Sequence, residues 1–344
     1  MPWHVPTKKK NIMNFSLLKK IVLENHSFLL TTHVNPDADA IGSEIAFYFL
    51  LKKLGKVVHV VNTSQTPYYL EFMDTENVIQ YFDEEKHRDV FNEVDVLIAL
   101  DFNRGQRMVR MENLFRKSEK LKICIDHHED PENFTDHLFS ETSFAATGQI
   151  IYNFIKETSI VEIDLSIAEP LYAAIMTDTG SFRFDRTTAD IHFIAADLLN
   201  AGVKPNDVYT KVYDTSRIGK IKLLGDAIQS LKLHGDKNDI AVMIITKEAM
   251  ERSGADEADT DGFVNLCLTI DSVQVALKFM ELNEGFKVSL RSKGEISVQK
   301  IAAEYGGGGH RNASGIRIRD KEMYAFIPVL IERVTAYLNN SPYA

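Results

Sequence analysis

Leu121-Lys122-Ile123-Cys124-Ile125-Asp126-His127-His128 is the stretch whose reading decides the fold. Leu121 to Ile125 is short, apolar and rich in isoleucine, which reads as a buried strand. An acid and two imidazoles then fall at or just past its C-terminal end. In an open α/β sheet that edge is where ligands bind, and carboxylate with imidazole suits a divalent metal. Taken alone, the stretch fits a plain polar strand end equally well.

Working outward, the same pattern recurs. Ser27–Thr32 is a strand leading into His33-Val34-Asn35-Pro36-Asp37-Ala38-Asp39, and Pro36 makes that segment a loop. Asp95–Leu100 is a buried strand ending at Asp101. Lys56–Val61 and Val78–Phe82 add further strands. Helices are expected over 15–25, 40–54 and 106–117, the second with Ile41, Ile45, Phe49 and Leu50 on its apolar face and Gly55 as its stop. This alternation predicts a parallel sheet with helices on both faces. Helices follow over 145–156, 166–176 and 190–201, the second running into Thr177-Asp178-Thr179-Gly180.

Beyond a helical stretch, a second set of strands (240–245, 273–282, 286–290 and 315–318) mixes with helices over 298–305 and 323–338. The expected organisation is a mobile arm over 1–14, a catalytic domain over 15–204, a helical connector over 205–231 and a smaller α/β domain over 232–344. The active site is expected in the cleft between the two domains.

At 44% hydrophobic and 26% charged, the chain of 344 residues can bury sizeable cores. A formal charge of −10 argues against long-range attraction to duplex nucleic acid, though not against short anionic substrates. Cys124 and Cys267 lie in apolar runs and read as buried free thiols in a reducing compartment. Lys8-Lys9-Lys10 has no apolar run behind it, so no signal peptide is expected, no segment has the length of a membrane helix, and the location reads as cytoplasmic.

A parallel sheet brings His33, Asp101 and Asp126-His127-His128 to one edge, with Asp37 and Asp39 on the first loop and Asp178 on a helix packed nearby. Such a set suits two ions sharing a carboxylate, and imidazole shifts preference from Mg²⁺ toward Mn²⁺ or Co²⁺. Asp37 and Asp39 alone would pass for helix caps, and Asp178 for a turn cap, but capping leaves His33 unexplained. Gly306-Gly307-Gly308-Gly309-His310-Arg311 fits either a flexible turn or an anion-binding loop, where glycine amides approach closely and His310 and Arg311 add donors. Arg291-Ser292, at a strand end, offers further anion contacts.

His33-x-x-Pro36-Asp37-x-Asp39, Asp101 after a strand, Asp126-His127-His128 and Asp178 before Gly180 resemble the four motifs of the DHH phosphoesterases. Gly306–His310 resembles the glycine-rich motif of the DHH-associated C-terminal domain. Within the family the chain looks most like the bacterial oligoribonucleases (nanoRNases) that also dephosphorylate 3′-phosphoadenosine 5′-phosphate. The resemblance implies two divalent ions, Mn²⁺ first, with Mg²⁺ or Co²⁺ as alternatives. His33, Asp37 and Asp101 would hold one, and Asp39, Asp101, His127 and Asp178 the other. His128 would act on the phosphate, with Asp126 orienting the histidines. Arg291, Ser292, Gly307, Gly308, Gly309, His310 and Arg311 would bind substrate.

The expected partners are short single-stranded RNA oligomers and small phosphorylated nucleotides, with no membrane; oligomeric state stays open, a homodimer included. The competing readings are a hydrolase of linear dinucleotides derived from cyclic di-AMP, a RecJ-like single-strand exonuclease, and an RNA-binding module with an inactive metal site.

Overall fold

Two successive six-stranded sheets organise the chain. A computed structural model describes residues 13–340 and divides the chain into two units, one through Thr215 and one from Ser216. Positions 1–12 of the expected arm lie outside the described residues; Asn14 caps the first helix, its side chain accepting from Leu17 N.

The first unit runs α1 (Phe15–Glu24), β1 (Ser27–Thr31), α2 (Ala38–Lys53), β2 (Val57–Asn62), a 3₁₀ turn (Tyr68–Met73), β3 (Ile79–Tyr81), α3 (Glu84–His87), α4 (Val90–Glu93) and β4 (Val96–Leu100). A second 3₁₀ turn (Gly105–Met111) and the short α5 (Glu112–Lys117) stand where one helix was expected. Then come β5 (Leu121–Asp126), β6 (His137–Ser140), α6 (Thr147–Thr158), α7 (Leu165–Asp178), α8 (Ala189–Asn200) and α9 (Pro205–Tyr213).

The strand order is β3-β2-β1-β4-β5-β6, and every neighbouring pair is parallel. Side-chain alternation divides the sheet between two cores. Phe28, Leu30, Ile98, Leu100, Ile123 and Ile125 pack with α1, α2, α6, α7 and α8. Leu29, Val61, Leu97, Ala99 and Cys124 pack on the other side with Phe82, Phe91, Met108, Phe115 and Phe134. The expected parallel sheet with helices on both faces is what forms.

Helix α2 is buried along its whole length to Leu51, not on one stripe as its apolar spacing implied. Its close neighbour is α7: a Cβ on Gly42 would lie 2.4 Å from the Pro170 carbonyl oxygen, so only glycine permits this approach. That contact fixes the start of α2, with Asp37 and Asp39, against the end of α7, with Asp178.

The second unit holds α10 (Ile218–Gln229), β7 (Lys232–His234), β8 (Ile240–Ile245), α11 (Lys247–Ser253), α12 (Phe263–Cys267), β9 (Val275–Glu281), β10 (Phe286–Ser292), α13 (Val298–Glu304), β11 (Gly308–His310), β12 (Ala313–Ile318) and α14 (Met323–Asn339). Its order is β11-β12-β10-β9-β8-β7, with β8–β9 parallel and the other pairs antiparallel. The stretch expected as a connector therefore holds α9 of the first unit and α10 of the second. Cys124 and Cys267 are buried free thiols. No helix among the described residues is long and apolar enough to cross a membrane.

Candidate metal centre

Three of the acid- or imidazole-bearing segments leave the sheet at neighbouring strand ends. His33 follows β1, Asp101 follows β4, and Asp126 ends β5. Asp101 takes a left-handed backbone conformation (φ 65°), a costly state for a residue with a Cβ and one that gathers at functional sites. It is held there by its N–H donating to the Ile125 carbonyl at 3.0 Å and by Thr147 Oγ1 donating to Oδ1 at 2.8 Å.

The donors fall into two groups that meet at Asp101. On one side, His33 Nε2 is 3.5 Å from Asp101 Oδ2 and 3.9 Å from Asp37 Oδ2. On the other, His127 Nε2 is 3.6 Å from Asp101 Oδ1, 3.5 Å from Asp39 Oδ2 and 3.2 Å from Asp178 Oδ2. Each histidine turns its other nitrogen to a carbonyl oxygen: His33 Nδ1 to Val34 at 3.0 Å and His127 Nδ1 to Phe144 at 3.2 Å. Metal–ligand bonds of about 2.0–2.2 Å put neighbouring donors on the order of 3–3.5 Å apart, so both groups are close to the spacing an ion needs. The triads His33–Asp37–Asp101 and Asp39–Asp101–His127 each bring one ligand atom per residue into a common neighbourhood.

Electrostatics carry the same message. Burial and then the Asp178 charge push the Asp39 carboxyl up to about 7. Burial, with Asp39 and Asp37 adding, raises Asp101 well above the carboxylate range. Burial works to lower His127, but its bond to Asp178 and the surrounding carboxylates carry it to about 9. Burial, with Arg107 adding, brings His33 down to about 4. So many carboxylates withdrawn from water need compensating positive charge, and these residues fit divalent cations in both groups.

Asp39 also accepts from the start of α6, Thr147 N to Oδ2 at 2.7 Å and Gly148 N to Oδ1 at 2.9 Å, and from Ser43 Oγ at 3.1 Å. Asp37 caps α2, accepting from the N–H groups of Asp39 and Ala40. Capping uses Asp37 Oδ1, while Oδ2 is the oxygen that faces His33 Nε2. Asp126 lies behind the ring of His128, with Oδ1 2.7 Å from Nδ1. Sequence reading missed Thr147 and Gly148, whose only signal was their place at a helix start, and Asn103, whose Nδ2 donates to the His128 carbonyl at 2.9 Å.

In the second unit the last two glycines of the run, Gly308 and Gly309, lie in the short edge strand β11. A Cβ on Gly309 (φ 137°) would sit 2.4 Å from the Ala313 carbonyl oxygen, and one on Gly307 2.2 Å from that of Gly315, so close backbone approach to β12 selects glycine. His310 pairs with Ala313 in that ladder, and Gly308 with Gly315. Arg291 lies on the polar side of β10, paired with Ala276 and Ala313. Arg311 pairs with Glu295. The Ser292 hydroxyl is buried, donating to the Ile296 carbonyl at 2.6 Å and accepting from Asn312 Nδ2 at 3.0 Å.

Residues 27–175 match the DHH family, N-terminal domain, and residues 238–340 match the DHHA1 domain. A Thermus thermophilus protein named bifunctional oligoribonuclease and PAP phosphatase NrnA is 32% identical over 317 residues, 91% of each chain. The chain belongs to the DHH family. A DHH family member of this kind is a metal-dependent phosphoesterase, and the donor set suits that reaction class. A Bacillus subtilis relative of this DHH chain that bears the same name is 26% identical over 89% of this chain and 93% of the relative. The crystal structure of an exopolyphosphatase-related protein from Bacteroides fragilis superposes on it with a TM-score of 0.87 at 31% identity, covering 97% of this chain and all of the other.

Proposed function

We propose that the chain hydrolyses short oligoribonucleotides to mononucleotides and 3′-phosphoadenosine 5′-phosphate to AMP, using two divalent ions, Mn²⁺ by preference. The observation that carries this reading is Asp101, which turns one carboxylate oxygen toward each donor group. His33, Asp37 and Asp101 would hold one ion, and Asp39, Asp101, His127 and Asp178 would hold the other. When bound, such a pair lowers the pKa of water and neutralises charge on phosphoryl oxygens.

The chain's own residues do the rest. His128, partly exposed beside Asp101 and with its ring fixed by Asp126, handles a proton next to the phosphate. Thr147 and the start of α6 keep Asp101 and Asp39 aimed. Arg291, His310 and Arg311, with the Gly307-Gly308-Gly309 segment, contact the substrate's nucleotide and its phosphate. The likeness to two proteins named as oligoribonucleases and PAP phosphatases supports the substrate class. The Bacteroides fragilis relative's name raises polyphosphate as a rival.

The test is turnover, with Mn²⁺ and with chelator, of labelled dinucleotides and short RNA, 3′-phosphoadenosine 5′-phosphate, linear di-AMP and inorganic polyphosphate. RNA oligomers and the bisphosphonucleotide should be hydrolysed only with metal. Release of phosphate from polyphosphate alone would replace this reading with the polyphosphate one.

A further inference from the structure

Glu44 lies in the middle of α2, one turn and a half beyond Asp39, and is fully buried. Asn62 Nδ2 donates to its Oε2 at 2.7 Å, while Oε1 is buried with no donor among the described residues. A buried carboxyl so placed is held neutral. Burial, opposed by the Asn62 bond and helped by the Asp74 charge, pushes it up to about 8.

The contact does not stop at Asn62. That residue ends β2 and is equally buried. Its Oδ1 accepts from the Thr32 N–H at 3.0 Å, with Thr31 Oγ1 at 3.5 Å. Thr32 Oγ1 donates in turn to the Leu100 carbonyl at 2.9 Å. Thr32 precedes His33 and Leu100 precedes Asp101. The network thus runs from Glu44 to the two backbone segments that aim His33 Nε2 and Asp101 Oδ2 at one another, 3.5 Å apart. An acceptor at position 44 settles which way the Asn62 amide faces: Nδ2 toward the helix, Oδ1 toward Thr32. With an apolar side chain there, Nδ2 is buried unsatisfied and the amide is anchored from the Thr32 side alone, so it has reason to shift and to move Thr32 with it.

We propose that Glu44, acting through Asn62 and Thr32, is a positioning residue for the His33–Asp101 pair and sets the affinity of the ion this pair holds with Asp37. The inference rests on the two-ion reading above.

The test is a Mn²⁺ titration of the full chain, followed by the spectrum of bound Mn²⁺, in wild type, Glu44→Gln, Glu44→Leu and Thr32→Val. Partners behind metal ligands alter affinity by about 10–100-fold. Glu44→Leu should weaken one of the two ions by that factor and leave the other near its wild-type affinity. Glu44→Gln still accepts from Asn62 and should restore both. Thr32→Val breaks the link to Leu100 while leaving Glu44 and Asn62 untouched, so it should weaken the same single ion even if Glu44→Leu fails to fold. Unchanged affinities in Glu44→Leu or in Thr32→Val, or equal weakening of both ions, would overturn the proposal. Fewer than two ions on the wild-type chain would remove the two-ion reading itself.

Discussion

The Asp126 carboxylate grips His128 twice, with Oδ1 2.7 Å from the ring Nδ1 and Oδ2 accepting the backbone N–H at 2.9 Å. The ring of His127 meets a different carboxylate, with Nε2 3.2 Å from Asp178 Oδ2. Two adjacent imidazoles just past one strand end, with ring centroids 4.8 Å apart, are thus given different carboxylate partners.

The two histidines should separate in mutation. His127→Ala should weaken Mn²⁺ binding. His128→Ala should keep both ions and lose turnover by about 10²–10⁴, the range for removing a proton-transfer group. Metal content and kcat measured on the same preparations decide this. Equal metal loss in both variants would show the assignment of the pair to be wrong.

Substrate length follows from charge. The chain carries −10 overall, so long anionic strands gain little from its surface beyond local contacts such as Arg291 and His310. We expect kcat/KM to peak at about two to five nucleotides and to fall toward about twenty-mers. Arg291→Ala and His310→Ala should raise KM for short substrates without loss of metal. A flat or rising length profile at fixed salt speaks for a RecJ-like exonuclease.

Glu44 gives a pH signature to the metal-free protein. Its carboxyl rises from an ordinary value of 4.5 to about 8 on folding. Between these values the folded chain keeps a proton that the unfolded chain has lost, so this group's contribution to stability falls as pH climbs through the window and is lowest above about 8. Glu44→Gln carries no such proton. With chelator present, its Tm advantage over wild type should grow by several degrees from about pH 5 to about pH 8.5, with Asp74, the other charge acting on Glu44, present in both. An advantage that does not change with pH would show Glu44 to be ionised throughout.

Gly309 tests the glycine strand. Alanine there would combine a left-handed backbone with a Cβ 2.4 Å from the Ala313 carbonyl oxygen. Gly309→Ala should cost roughly 1–3 kcal/mol in denaturant unfolding, and Gly308→Ala, with open space around it, much less. Equal effects would argue against close backbone packing as the reason for glycine.

The parallel sheet was readable because its central strands are continuous apolar runs bounded by polar residues, and the acids and imidazoles stand at the boundaries. What the sequence hid is set by pairing and packing. His137–Ser140 is four residues with one buried side chain, too short for a pattern, and becomes a strand by pairing with β5. Gly308–His310 has no strand propensity and forms β11 because β12 lies beside it. Helical periodicity over 205–231 does not show that the chain passes from one unit to the other near Thr215. The burial of α2 on every side, which takes Glu44 out of water, does not show in its apolar spacing, and Thr147 gave no sign of reaching Asp101 across 46 residues of sequence.

The most direct test of the account is the Mn²⁺ stoichiometry of Asp101→Ala beside wild type. His33 and His127 approach different oxygens of this one carboxylate, at 3.5 and 3.6 Å. Wild type should bind two Mn²⁺ per chain, and Asp101→Ala, still folded by circular dichroism, should hold neither at concentrations that saturate the wild type. Two ions retained in the variant would contradict the shared-carboxylate centre.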